Sequence, residues 1–79
     1  MPTVMMVKGI RCFFYSNENN EPIHVHLTKG SAEGKIWLEP KLEVAYFNGF
    51  TRAEQKAVLH EVELNLEELK TKWNEYFSE

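Results

Sequence analysis

The sequence predicts an α+β domain in which a small antiparallel β-meander of four to five strands packs one face against one or two C-terminal helices. Three observations predict it. Short apolar runs separated by turn-forming residues fill positions 1–47. One of these runs, Ile23 to Thr28, alternates strictly between apolar and polar side chains. From Thr51 onward the period changes, and Val58, Val62, Leu66, Leu69, Trp73, Tyr76 and Phe77 recur at helical spacing. With 79 residues the expectation is one domain spanning 1–79, its sheet in 1–47 and its helical part in 51–78.

Thr3 to Val7 is β-branched and apolar, and Lys8-Gly9 turns the chain after it. Ile10 to Tyr15 (IRCFFY) reads as the second strand, and Ser16 to Pro22, with its asparagines and proline, as a loop. Ile23 to Thr28 is the third strand. Lys29 to Gly34 reads as a turn with glycine near each end, and Lys35 to Leu38 as the fourth strand. After the break at Pro40, Leu42 to Phe47 is a candidate fifth strand, closed by Asn48-Gly49. Thr51 with Glu54 three positions on forms a capping box at a helix start. Asn65 with Glu68 repeats the pattern, which leaves open one helix or two. Trp73 lies in the apolar stripe and reads as core.

Composition narrows the function classes. The chain is 43% hydrophobic and 27% charged, a globular balance rather than a disordered one. No apolar run approaches the roughly 20 residues of a membrane span, and MPTVMMVKG lacks the apolar segment of a signal peptide. Cys12 is the single cysteine, so neither an internal disulfide nor a thiolate metal cluster can form within one chain. A cytoplasmic location and a small buried thiol are the expectations. The net charge of −3 argues mildly against nucleic acid, yet residues 1–37 carry +1 and residues 38–79 carry −4. The acidic half reads most simply as a solvated helix face.

Strand alternation then separates the side chains. If Ile23, Val25 and Leu27 face the helix, His24 and His26 share the opposite face, which an antiparallel sheet often leaves to solvent. By the same rule Lys35 and Trp37 point outward while Ile36 and Leu38 point inward. Ile10, Cys12 and Phe14 face the core, and Arg11, Phe13 and Tyr15 the outside. An outer face with two cations, two histidines and three aromatics exceeds what water alone requires. Three readings suit it. Aromatic rings stack bases and cations hold phosphate in single-stranded RNA binding, with His24 and His26 as acid and base for cleavage. His-x-His spacing places two imidazoles about 7 Å apart along one side of a strand, a geometry for two ligands of one ion. Glu33 and Glu18 are the candidate third ligands, and His60 on the helix is too far. Exposed aromatics beside Arg also fit a protein-interaction hot spot. The plainer alternative, histidines satisfied by local hydrogen bonds beside the loop, stays open.

The stretches MPTVMMVKGIRCFFYSNENNEPIHVHL and GKIWLEP, with the terminal aromatic pair Tyr76-Phe77, resemble a bacterial family called domain of unknown function 4160. The resemblance covers nearly the whole chain and rests on Met1-Pro2-Thr3, Phe13 to Glu18, Glu21-Pro22, His24-Val25-His26 and Trp37 to Pro40. Ile23 departs from it, standing where a second proline is expected. The resemblance implies a small accessory protein paired with a second family, domain of unknown function 2442, in what has the look of a toxin–antitoxin module. The expectation is therefore a toxin-like member of a two-gene module acting on RNA, with His24 and His26 catalytic and Arg11, Tyr15, Lys35 and Trp37 binding substrate. No cofactor or resident metal is part of that expectation, and a homo-oligomer is compatible with it. A non-catalytic protein-interaction module and a His-x-His metal protein are the alternatives, so whether the chain is an enzyme stays open.

Overall fold

The computed structural model describes residues 3–15 and 21–77. Five antiparallel strands form one sheet in the order β1-β2-β3-β4-β5, followed by two helices. The strands are β1 (Thr3–Val7), β2 (Ile10–Phe13), β3 (His24–Lys29), β4 (Ala32–Trp37) and β5 (Glu43–Asn48). The helices are α1 (Arg52–Leu64) and α2 (Leu66–Phe77). The meander and its helical cover are those the sequence predicts. Among the described residues no helix is long and apolar enough to cross a membrane.

The turns explain the sheet order. Val7 pairs with Ile10, so Lys8 and Gly9 form a two-residue hairpin turn with φ of 49° and 82°. Positive φ at both positions matches the right-handed twist of the flanking strands, and glycine takes the second position without a Cβ penalty. Lys29 pairs with Ala32, which makes Gly30-Ser31 the whole second hairpin turn. The expected six-residue turn is therefore too long, and the fourth strand starts at Ala32 rather than Lys35. Gly34, expected in that turn, is a buried residue inside β4. A Cβ there would meet the Tyr46 carbonyl at 3.0 Å and the Leu27 and Phe50 side chains at 3.2 Å. A Cβ there is tighter than ordinary contact, so β5 or its neighbours must give way to admit any side chain. The loop expected at Ser16 to Pro22 lies mostly outside the described residues.

Ile10, Cys12, Val25, Leu27, Ile36 and Leu38 line the core face of the sheet, each 0–1% exposed. Val58 and Val62 of α1 and Leu69 and Trp73 of α2 pack on that face. The Thr51–Glu54 capping box is formed: Thr51 Oγ1 accepts from the Glu54 N–H at 3.1 Å, and the Glu54 carboxylate accepts from the Thr51 N–H at 2.9 Å. Lys29 also bonds Glu54, joining the hairpin to the first turn of α1 and holding that carboxyl below the usual carboxylate range. The helical segment divides at Asn65, but Asn65 works backward. Its side-chain N–H donates to the Glu61 carbonyl at 2.8 Å, closing α1 at its C-terminus instead of capping α2 through Glu68. Polar contacts reach both flanks of α2, where Lys72 donates to the Val4 carbonyl at 3.4 Å and Lys70 pairs with Glu39 at 2.9 Å.

Two outcomes follow. Gly34→Ala lowers stability by about 1–3 kcal/mol, because a strand backbone must move to admit the methyl group; the urea midpoint reads it, and an unchanged midpoint means β5 yields without cost. Burial pushes the Cys12 thiol up from 9.0 to about 12. Below pH 9 the thiol is neutral in both states; above it the unfolded chain loses the proton first, so stability falls as pH rises from 9 toward 12. Urea titrations across that range should show a shallower fall for Cys12→Ala than for the native chain.

Candidate functional site

The outer face of the sheet brings together the residues that alternation assigns to it. Across β2, β3, β4 and β5, Phe13 pairs with His26, His26 with Lys35, and Lys35 with Tyr46. The next row joins His24 to Trp37 and Trp37 to Glu43. Arg11 lies in the row below, opposite Thr28. All seven expected face residues are thus neighbours, but they are not all open to solvent. His24 is 0% exposed, Phe13 5% and His26 8%. The expectation of two solvent-facing histidines is corrected here: both rings are closed in by aromatic neighbours.

His24 is the centre of that enclosure. Its ring centroid lies 4.9 Å from His26, 5.1 Å from Trp37 and 5.1 Å from Trp73. Trp73 also meets Phe14 at 5.1 Å, so one indole joins the core to the histidine pair. His24 Nδ1 is 2.8 Å from the Pro22 carbonyl oxygen. A carbonyl only accepts, so the proton of a neutral His24 sits on Nδ1. Nε2 then points toward Glu21, with Oε1 at 3.9 Å. The same Glu21 oxygen pairs with Lys35 Nζ at 3.4 Å, giving a chain Lys35–Glu21–His24. His26 is stacked on Phe13 at 5.7 Å and meets Tyr15 edge-on at 4.3 Å.

Both cations of the face are already engaged. The Arg11 guanidinium lies over the Phe13 ring, 4.6 Å from its centroid, and bonds Thr3. Lys35 lies over the Trp37 ring at 4.1 Å in addition to its pairing with Glu21. Such cation–π pairs are worth about 0.5–1 kcal/mol when partly exposed. The exposed large hydrophobic side chains of this face are Met6, Tyr15 and Tyr46 at 60%, 39% and 44%. Among the described residues no three His, Cys, Asp or Glu side chains come together as a metal site. Glu18, one expected third ligand, lies outside the described residues, and Glu33 sits opposite Thr28, in the row of Arg11. Two cavities, of about 350 and 150 Å³, lie elsewhere, between β1 and α2 beside Val4 and Lys72.

Three contributors escape sequence reasoning. Glu21 closes a charge chain that no spacing announces. Trp73 is core as expected, yet it also touches His24 from a helix 49 positions away. Tyr46 shares a face with Lys35 because the β4–β5 register slips between Lys35 and Ile36, leaving Ala45 as an extra residue. Strict alternation from Val44 would have placed Tyr46 in the core.

Fold and site define a small α+β meander protein whose histidine pair is built into an aromatic cluster. The family model for a domain of unknown function (DUF4160) matches residues 9–74, and the chain belongs to that family. Comparison with curated proteins and with solved structures returns no match.

His24→Ala removes a ring packed on three aromatic neighbours and should cost about 2–4 kcal/mol of stability. His26→Ala, at the partly open end of the cluster, should cost less. Chemical denaturation of the two variants orders them, and equal midpoints would overturn the central role given to His24.

Proposed function

We propose that the chain is a non-catalytic interaction module that binds a partner protein through the outer face of its sheet. One observation carries this reading: the face exposes Tyr15, Tyr46 and Met6 and half-buries Arg11, Lys35 and Trp37, while its two histidines are closed off. Rigid aromatics beside cations are what anchor protein interfaces. A general acid or base, by contrast, must come within about 3 Å of the proton it moves. Burial of His24 and His26 works against that role.

The partner this reading takes is the domain of unknown function 2442 type protein that the family resemblance supplies. The two chains would then form a two-gene module of the toxin–antitoxin kind in a bacterial cytoplasm, with the present chain acting by occupancy. The RNA-directed version keeps Arg11 and Lys35 on phosphate and Tyr15 and Trp37 on bases. It requires both cations to leave the rings and the carboxylate that now hold them.

Calorimetric titration with a 2442-type partner tests the proposal. Tyr15→Ala and Trp37→Ala should each weaken binding about tenfold or more, and His26→Gln much less. Cleavage of RNA by the purified native chain, abolished in His26→Gln, would replace this reading with the catalytic one.

A further inference from the structure

The two edges of the sheet are not equivalent. At the β1 edge Lys72 donates to the Val4 carbonyl and α1 packs alongside. Among the described residues β5 has β4 on one side and no strand on the other. A strand edge of this kind displays N–H and C=O groups that another strand can satisfy. The side chains of β5 also look incompletely buried. Val44 and Phe47 belong to the core side but remain half-buried at its rim.

From these observations we infer that β5 pairs antiparallel with β5 of a second copy, joining two sheets into one of ten strands. The register follows from face matching, since residues directly opposite in an antiparallel pair share a face. Val44 and Phe47 point to the core side, and Glu43, Tyr46 and Asn48 to the outer side, opposite Trp37, Lys35 and Glu33. A two-fold axis between Ala45 and Tyr46 sets Val44 against Phe47 of the second copy, and Glu43 against its Asn48. Moving the axis half a residue toward Glu43 sets Val44 against Tyr46 and mixes the faces. The chosen register completes the apolar rim twice and keeps the two Glu43 carboxylates at opposite ends of the pair. The extra residue at Ala45, often a guard on an edge, lies beside the symmetry axis and faces Tyr46 of the copy, so the two irregularities fall together. In this register the edge is complementary to itself, apolar against apolar and polar against polar, which is why a second copy is the occupant inferred.

The contact is small, of the size class of transient interfaces below about 1,200 Å². It does not depend on the partner reading above, because it uses the strand edge and not the sheet face. Sedimentation equilibrium over a dilution series should show a reversible monomer–dimer equilibrium for the native chain. Ala45→Lys, at an exposed position, places two cations at the axis and should yield a monomer with an unchanged far-ultraviolet dichroism spectrum. Under oxidation a mixture of Glu43→Cys and Asn48→Cys chains should cross-link, and Glu43→Cys alone should not. The buried Cys12 stays out of that reaction. A native chain that is monomeric throughout the series overturns the inference. So does association that survives Ala45→Lys but is lost in Trp37→Ala, which would place the contact on the outer face.

Discussion

Burying an imidazole without a partner is costly, and the arrangement around His24 is organised by avoiding that cost. The Pro22 carbonyl, two residues before the start of β3, accepts from Nδ1 and so fixes both the tautomer and the plane of the ring. With the plane fixed, the ring presents to Trp37, Trp73 and His26 at centroid distances near 5 Å. Aromatic contacts of this geometry contribute about 0.5–1.5 kcal/mol each beyond the area they bury. One side chain therefore couples the start of β3, the end of β4 and the middle of α2. The helix that covers the core is held to the face that it does not cover.

The same coupling limits what that face does. Lys35 is tied to Glu21 and Trp37, and Glu21 approaches His24, so the charges near the histidines form a closed chain. Any ligand that wants Lys35 must replace a carboxylate and a ring at once. On the interaction reading proposed above, a partner's apolar patches meet the exposed edges of the cluster and leave that pairing in place. Tyr15, two residues past the end of β2, and Tyr46 on β5 flank the cluster on either side, and both reach solvent without rearrangement.

The fold was largely legible because its signals are local. The switch from period two to helical spacing, the Thr51–Glu54 box and the Lys8-Gly9 turn each depend on a few adjacent residues, and each is found in place. The membership of the outer face was legible for the same reason, since alternation assigns sides along any one strand. Strand ends were less so: glycine at position 34 reads as a turn until the approach of Tyr46 and Phe50 is known. Tyr46 was hidden by a single extra residue in β5, which reverses parity for everything after it. Asn65 illustrates a different limit. An asparagine between two helical runs can serve both neighbours: the Asn65 side chain donates to the Glu61 carbonyl of α1, while its own carbonyl accepts from the Leu69 N–H of α2 at 2.9 Å.

Alternation gives the side on which a residue lies and says nothing about its exposure. His24 and Lys35 obey the same parity rule, yet one ring is sealed while the other side chain is half-buried. The difference comes from Trp73, far along the chain, whose indole touches both Phe14 and His24. A His-x-His pair on a strand reads as chemistry because an exposed pair titrates near neutral pH and meets substrates or ions. Here an indole lies against the first ring and Phe13 and Tyr15 crowd the second, so the same spacing also packs both imidazoles into an aromatic cluster. Each imidazole is flat like the aromatic residues around it, and carries a nitrogen that can bond where a phenyl ring cannot. At His24 that nitrogen answers a carbonyl that a hydrocarbon would leave unsatisfied, which is a sufficient physical reason for a histidine to begin β3.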